Sequence, residues 1–238
     1  MDRDSNRHTY LFAGIMVITI AFVLSFTSES FKELKLDNVK KEKMQNILST
    51  VGINVSRDES EDLYNQYIIE ELSLTHNGDI DQEVNAFNIN LALEIRKGLD
   101  DQRFPLYIAD VDNSKYYIIP LRGNGLWNAI WGYIALKQDI NTIEGISFGH
   151  EAETAGLGAE ITQDWFMNSF NDEKILNSNG EFVGIYVSKS NNDPDNIDKN
   201  DNEVDAISGA TITGDGVSDM IKERLENYLP YFNNLSNE

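Results

Sequence analysis

The sequence contains no cysteine and only three histidines among its 238 residues. Without thiols the chain forms no disulfide and offers no thiolate to a metal or an iron–sulfur cluster, so any redox chemistry requires a bound cofactor. Basic residues are also scarce, because 19 Lys+Arg stand against 40 Asp+Glu and give a formal net charge of -21. Such a chain repels nucleic-acid phosphates, which argues against nucleic acid as a partner.

Metal-binding patterns are incomplete in this sequence. A His-Glu pair at 150–151 resembles the start of a zinc-protease helix, but Thr154 stands where the second histidine belongs. Counted from Asp193, the acidic segment has Asp198 and Val204 where a calcium-binding EF-hand loop needs glycine and glutamate. We therefore predict no metal site and interpret the acidic segment as a mobile, solvated surface loop.

A long apolar run lies near the N-terminus. Between Arg7 and Glu29 are about 20 uncharged residues, enough at the helical rise to span the roughly 30 Å hydrocarbon core of a bilayer. A cleaved signal peptide fits less well, because the run exceeds the usual apolar region and no Ala-x-Ala-like site follows it. We predict a short tail at 1–8 and a retained transmembrane helix at 9–28.

The charges that flank this run leave its orientation open. Two arginines, Arg3 and Arg7, precede it, and lysines follow it closely within 32–43. A positive-inside count therefore places the large domain in the cytoplasm. That count carries little weight when a long domain follows the span.

Helical and β patterns are interleaved beyond the apolar run. Apolar residues at three- and four-residue spacing predict helices, and alternation bounded by turn residues predicts strands. The predicted helices are 31–51, 59–74, 163–170 and a last one from about Gly214 to 232. The predicted strands are 85–93, two within 105–121, 129–136, 141–150 and 181–189. This order predicts an α+β protein with a mixed or antiparallel sheet flanked by helices.

The stretch DAISGATITGDG at 205–216 places hydroxyl groups and glycines directly before the last helix. Helix capping explains these residue types, with Thr213 as the cap of a helix that begins near Gly214. A phosphate-binding P-loop does not fit, because no Gly-Lys-Ser/Thr sequence occurs. A helix N-terminus still offers N–H groups and a positive dipole end, so a phosphate is stabilised there even in an acidic protein.

Two further stretches are candidates for contact with a planar ligand. Trp127, Trp131 and Tyr133 lie in GLWNAIWGYIAL, although aromatic side chains in strands more often belong to the core. The loop EAETAGLGAE has a glycine on each side of Leu157, which lets the backbone approach a bound group closely. A plain connecting loop explains that stretch equally well.

One motif in the 205–216 stretch resembles a known modification signal. Asp205-x-x-Ser208-Gly209-Ala210-Thr211 resembles the flavinylation motif, in which a flavin transferase joins flavin mononucleotide (FMN) to the final threonine by a phosphoester bond. The resemblance implies that Thr211 is the attachment site. It also implies that Asp205, Ser208, Gly209 and Ala210 are recognition and turn residues.

The resemblance extends over nearly the whole chain. After the apolar run, KKEKMQNILSTVGI, PLRGNGLWNAIWGYIAL, GHEAETAGLGAEI and DAISGATITGDGV occur in the order seen in NqrC, a component of the Na⁺-translocating NADH:quinone oxidoreductases. One departure is Ala155, where this family usually has proline, so the loop is expected to be less rigid. The implied arrangement is a juxtamembrane segment at 29–95, an FMN-binding domain at 96–232 and a tail at 233–238.

The family also implies a function and a set of contacts. It implies covalent FMN, and we predict Thr213 at the phosphate and Thr154, Leu157 and Trp127 at the flavin ring. The chain is then an electron carrier in a six-subunit enzyme that passes electrons from NADH toward quinone and exports Na⁺. Its partners are the other subunits, a flavin transferase and membrane lipid, with the soluble domain on the periplasmic side of the inner membrane.

Two alternatives remain at the level of sequence. The equivalent flavin subunit of the ion-translocating ferredoxin:NAD⁺ complex shares the threonine motif. A membrane-anchored binding or scaffold domain without a cofactor would use the same hydroxyl groups only to cap a helix.

Overall fold

The computed structural model describes residues 6–193 and 196–235. The chain divides into two units, Met1–Lys43 and Met44–Glu238. The helices are α1 (Asn6–Ser30), α2 (Lys32–Ser49), α3 (Ser60–Tyr67), α4 (Leu91–Glu94), α5 (Asp164–Ser169), α6 (Thr211–Glu226) and α7 (Leu229–Leu235). The strands are β1 (Ile68–Leu74), β2 (Phe104–Val111), β3 (Ser114–Asn124), β4 (Ala129–Leu136), β5 (Ile143–His150), β6 (Tyr186–Val187) and β7 (Glu203–Val204).

Helix α1 is the apolar run. No residue of this helix is buried, and it is long and apolar enough to cross a membrane. Thr19 and Thr27 donate their hydroxyls to the carbonyls of Ile15 and Val23, one turn earlier. These bonds satisfy the polar groups of an apolar helix from within the helix itself.

Helix α2 ends where the sequence predicts. It runs to Ser49, and Gly52 follows with a φ of 77°, a left-handed conformation that glycine adopts without strain. The predicted helix at 31–51 is therefore confirmed. Ile47 and Leu48, in its last turn, are fully buried in the second unit.

A five-stranded antiparallel sheet, β1 to β5 in chain order, forms the centre of the second unit. The hairpin between β2 and β3 turns at Asp112 and Asn113, whose φ angles are 53° and 63°. Asn and Asp tolerate this left-handed conformation, which matches the twist of the flanking strands. Both predicted hairpins and the α+β class are confirmed.

Alternation along the strands divides the core between the two faces of the sheet. On β2, Leu106 and Ile108 join one cluster, whereas Tyr107 and Ala109 join the other. Helix α6 contributes to the first cluster through residues three and four positions apart: Val217, Met220, Ile221 and Leu225. Each large aliphatic side chain that is fully buried contributes about 1.5–3 kcal/mol to stability. These contacts fix α6, and with it the 205–216 stretch, against the sheet.

Two predictions in the first half of the soluble part are wrong. The helix predicted at 59–74 ends at Tyr67, and the segment that follows, which begins with the β-branched Ile68 and Ile69, pairs with β2 as β1. The strand predicted at 85–93 is instead a 3₁₀ turn (Ala86–Asn88) followed by α4. Asn85 and Asn90 accept hydrogen bonds from the amides of Asn88 and Ala92, so the alternating asparagines are helix caps.

The second half of the chain also departs from the predictions. Only β6 is strand within 181–189, and it pairs in parallel with β7 at the end of the acidic segment. Pro194 and Asp195 in that segment lie outside the described residues. The last predicted helix is two helices, because Pro230 suits the first turn of a new helix, α7.

Candidate functional site

The 205–216 stretch lies at the start of α6. This helix begins at Thr211, which is exposed, and the amide of Gly214 donates to the carbonyl of Ala210 at 2.9 Å. Among the described residues, no side chain caps this helix N-terminus. Gly209, two residues before Thr211, has a φ of 73°. An exposed hydroxyl therefore stands beside first-turn amides that no side-chain oxygen covers.

Thr213 is not the helix cap that the sequence predicts. It lies inside the first turn of α6, is only 1% exposed, and donates its hydroxyl to Oε2 of Glu153 at 2.7 Å. Residue preferences predict the wrong cap here, because threonine is a preferred capping residue. Ala210, at the actual cap position, has no side-chain oxygen. Thr213 anchors the helix start to the neighbouring loop.

Glu153 is a site residue that the sequence interpretation missed. Its Oε1 accepts the backbone amide of Trp127 at 2.9 Å, while its Oε2 accepts the hydroxyl of Thr213. Glu153 is 7% exposed, whereas Glu151, two positions earlier, is exposed. No local pattern separates these two glutamates, since what distinguishes Glu153 is a contact 60 positions away in the chain.

Asp205 joins the proposed motif to the acidic segment. Its Oδ1 accepts the amides of Asn192 and Asp193 at 3.0 and 3.3 Å. Its Oδ2 is buried and has no hydrogen-bond partner among the described residues. Ser208 is exposed, three positions further on and close in sequence to Thr211.

Exposed apolar side chains surround the start of α6. Leu157 lies against Gly209, where an added Cβ would come within 2.8 Å of the leucine Cδ2. Trp127 is 67% exposed, so the core interpretation is wrong for this tryptophan. Leu126 and Ile212 are also exposed. These side chains leave apolar surface open to a ligand or a partner in this part of the chain.

The remaining aromatic and loop candidates have structural contacts. Trp131 in β4 is half-buried, and its indole fills the space beside Gly149, as expected for a side chain that belongs to the sheet. Thr154 is exposed, and its carbonyl accepts the amides of Leu157 and Ala159, each at 3.1 Å. These bonds close the glycine-containing loop and hold Leu157 beside Gly209.

Comparison with known proteins agrees with this geometry. The profile of the family described as FMN-binding domain matches residues 125–226. That range begins beside the Trp127 loop and ends at the last residue of α6, so it contains the whole 205–216 stretch together with Trp127, Glu153 and Leu157. Fold, site and profile together define a flavoprotein with an FMN-binding domain.

Relatives narrow the class to one family. A crystal structure of the C subunit of Na⁺-translocating NADH-quinone reductase from Parabacteroides distasonis is 36% identical, has a TM-score of 0.75, and covers 84% of this chain and 96% of its own. The C subunit of the same enzyme from Haemophilus ducreyi is 28% identical over 228 residues, which is 89% of this chain and 84% of the relative. The chain belongs to the NqrC family, the C subunits of Na⁺-translocating NADH-quinone reductases.

A more distant structure supports the fold alone. The crystal structure of Shewanella oneidensis NqrC is 22% identical, with a TM-score of 0.68, and covers 84% of this chain and 99% of its own. The same arrangement of strands and helices thus persists where little sequence identity remains.

The residues at the start of α6 fit an FMN group. A phosphate needs N–H donors and a favourable dipole, which the uncapped helix start provides. A planar ring needs apolar faces, which Leu157 offers beside Gly209 and the exposed Trp127 offers in the turn after β3. The positive φ of Gly209 is compatible with a close turn of the backbone at this point.

Proposed function

We propose that the chain carries FMN in a phosphoester bond to Thr211 and transfers electrons within a Na⁺-translocating NADH:quinone oxidoreductase. The observation that carries this proposal is the position of Thr211 in the Asp205-x-x-Ser208-Gly209-Ala210-Thr211 motif. Its hydroxyl is exposed at a helix start that no described side chain caps.

The attachment step needs an activated phosphate, because a threonine hydroxyl does not displace water from free FMN under mild conditions. A flavin dinucleotide supplies this activation. The Thr211 oxygen forms a bond to the FMN phosphorus, the phosphoanhydride bond breaks, a nucleoside monophosphate leaves, and the hydroxyl proton is released. A flavin transferase catalyses this step, with Asp205, Ser208, Gly209 and Ala210 as the residues that it recognises.

Once attached, the phosphate lies at the positive end of the α6 dipole. Such a position stabilises an anion by about 0.3–1 kcal/mol when exposed and up to about 2 kcal/mol when partly buried. Trp127 and Leu157 would offer apolar surface to the flavin ring, and Thr154 would offer a hydroxyl. Thr213, through its bond to Glu153, keeps the first turn in place. Bound FMN supplies one- and two-electron transfer, which no side chain of this cysteine-free chain provides.

The wider role follows from the family. Helix α1, which is long and apolar enough to cross a bilayer, anchors the chain in the inner membrane through contacts with lipid. We infer from the family that the flavin domain lies on the periplasmic side. Electrons from NADH reach this flavin through other subunits and continue toward quinone, coupled to Na⁺ export. The named relatives favour this enzyme over the ferredoxin:NAD⁺ complex, and the FMN-binding profile argues against a scaffold without a cofactor.

Co-expression with a flavin transferase tests the proposal. After denaturing electrophoresis, the full-length band should fluoresce under ultraviolet light, and Thr211→Val should abolish this fluorescence. Thr211→Ser should retain it, because the hydroxyl remains. Ser178→Ala is the control, since it removes an exposed hydroxyl that lies outside the proposed flavin site. A dark wild-type band, or equal fluorescence in Thr211→Val, contradicts the proposal.

A further inference from the structure

Glu153 joins three separate segments around Thr211. It lies in the glycine-containing loop, it binds the backbone of Trp127 in the turn after β3, and it binds Thr213 in the first turn of α6. Its own amide donates to Nδ1 of His150 at 3.2 Å, which ties the carboxylate-bearing residue to the end of β5. No other described carboxylate connects these three segments.

Glycines make room for this carboxylate. A Cβ at Gly125 would lie 2.5 Å from Oε1 of Glu153, so any larger residue would displace the carboxylate. A Cβ at Gly158 would overlap Oε2 of Glu153 and come within 2.5 Å of the Thr213 hydroxyl. Two segments far apart in sequence thus lack side chains at the points where Glu153 passes. The backbone on both sides is shaped around one buried group.

The contacts of the Glu153 side chain are those of a hydrogen-bond acceptor. Both carboxylate oxygens receive hydrogen bonds, one from an N–H and one from an O–H, as an ionised carboxylate requires. Hydrogen bonds to a charged group are stronger than neutral ones, and a buried carboxylate that loses a partner is costly. The two bonds therefore resist separate movement of the Trp127 turn and of the α6 start.

We propose that Glu153 is a positioning residue of the flavin site, whose carboxylate holds Thr211 and Trp127 in a fixed mutual arrangement. Thr211 is two residues from Thr213, and the Trp127 amide is bonded directly, so one side chain sets both the attachment end and the ring end. This inference rests on the proposed function for its meaning, although the contacts themselves exist without flavin.

Amide hydrogen exchange of the flavin-free, full-length chain in detergent tests the positioning role. Glu153→Ala should accelerate exchange by about tenfold or more at the amides of Trp127 and Gly214, which are hydrogen-bonded in the structure, while β3 and β4 keep their protection. Glu153→Gln should have a smaller effect, because its amide oxygen still accepts the Trp127 N–H and its NH₂ can donate to Thr213. Glu151→Ala removes an exposed carboxylate from the same loop and should change nothing.

The rate of flavin attachment gives the second readout. Attachment to Glu153→Ala should be about tenfold slower than to wild type, with Glu153→Gln between the two. Thr213→Val should slow attachment, and the double variant Glu153→Ala/Thr213→Val should be no slower than the slower single variant, because both changes break one contact.

The outcomes separate the two proposals. If wild type takes up no flavin, the proposed function fails, and the exchange experiment alone decides the role of Glu153. If Glu153→Ala and Glu153→Gln both match Glu151→Ala in exchange and in attachment rate, the positioning role is overturned. If the Glu153→Ala chain does not fold, Glu153→Gln and Thr213→Val supply the same two measurements. Additive effects of the Glu153 and Thr213 substitutions on the attachment rate would also contradict the positioning role of Glu153.

Discussion

At the scale of single residues, buried carboxylates stand out in this acidic chain. Glu153 has a hydrogen bond at each oxygen, whereas Glu173 is fully buried and its Oε2 has no partner among the described residues. The Oε1 of Glu173 faces Asn196 at 2.9 Å and Lys199 at 3.4 Å. Burial is the main cause that raises the pKa of Glu173 to about 7, and nearby Asp201 adds to it.

This pKa predicts a pH dependence that Glu173→Gln removes. The folded carboxyl holds its proton to a higher pH than the unfolded one, so its contribution to stability is complete below about pH 4.5 and is lost as the pH rises through about 7. Glu173→Gln should match wild type near pH 4.5 and exceed it at pH 8 by up to about 3 kcal/mol.

Thermal melts of both full-length proteins in detergent between pH 4.5 and 8 measure this difference. Because the other carboxylates titrate equally in both proteins, the difference in melting temperature isolates Glu173. A difference that stays constant over this range would contradict the raised pKa of Glu173.

At the scale of elements, the close contact of α6 with the end of β3 reverses the usual effect of replacing a helical glycine with alanine. Alanine usually stabilises a helix interior by about 1 kcal/mol relative to glycine. A Cβ at Gly216 in α6 would overlap the carbonyl oxygen of Asn124 at the end of β3. Gly216→Ala should therefore lower the free energy of unfolding by about 1–3 kcal/mol.

Asp219→Ala is the matched control for Gly216→Ala. Asp219 is exposed on the same helix, and the change should stay within about 0.5 kcal/mol of wild type. Chemical denaturation followed by circular dichroism compares the two variants. A Gly216→Ala protein at least as stable as wild type would show that α6 can move away from β3 without cost.

Features that depend on neighbouring residues could be predicted from the sequence. Features that depend on contacts between residues far apart in the chain could not. The residues Asp112 and Asn113 predict the hairpin correctly, because Asp and Asn tolerate the left-handed backbone that this turn requires. The predicted start of α6 is wrong, because the packing of Val217 and its neighbours extends the helix back to Thr211 without a capping side chain. The role of Glu153 could not be predicted from the sequence, because its hydrogen-bond partners come from two other segments of the chain.

At the scale of the whole molecule, the division at Met44 predicts a soluble fragment. The unit Met44–Glu238 contains both hydrophobic clusters, including Met44, Ile47, Leu48 and Val51 from the end of α2 and just beyond. A fragment that starts at Met44 should be soluble without detergent and unfold cooperatively. A fragment that starts at Ile53 loses those four buried side chains, each contributing about 1.5–3 kcal/mol.

Size-exclusion chromatography and thermal melts of the two fragments measure the effect. The fragment that starts at Met44 should elute as a compact species with a clear transition, and the shorter one should aggregate or melt without a transition. Equal stability of the two fragments would show that the end of α2 is not part of the folding unit.

The proposed function depends on one covalent bond, between FMN and Thr211. Peptide mass spectrometry of the full-length chain, purified from cells that also express a flavin transferase, locates that bond directly. We expect one modified peptide that contains Thr211, with an added mass equal to FMN less water and with fragment ions that place it on that threonine. FMN released intact on denaturation, or found on a residue other than Thr211, would contradict the proposed function.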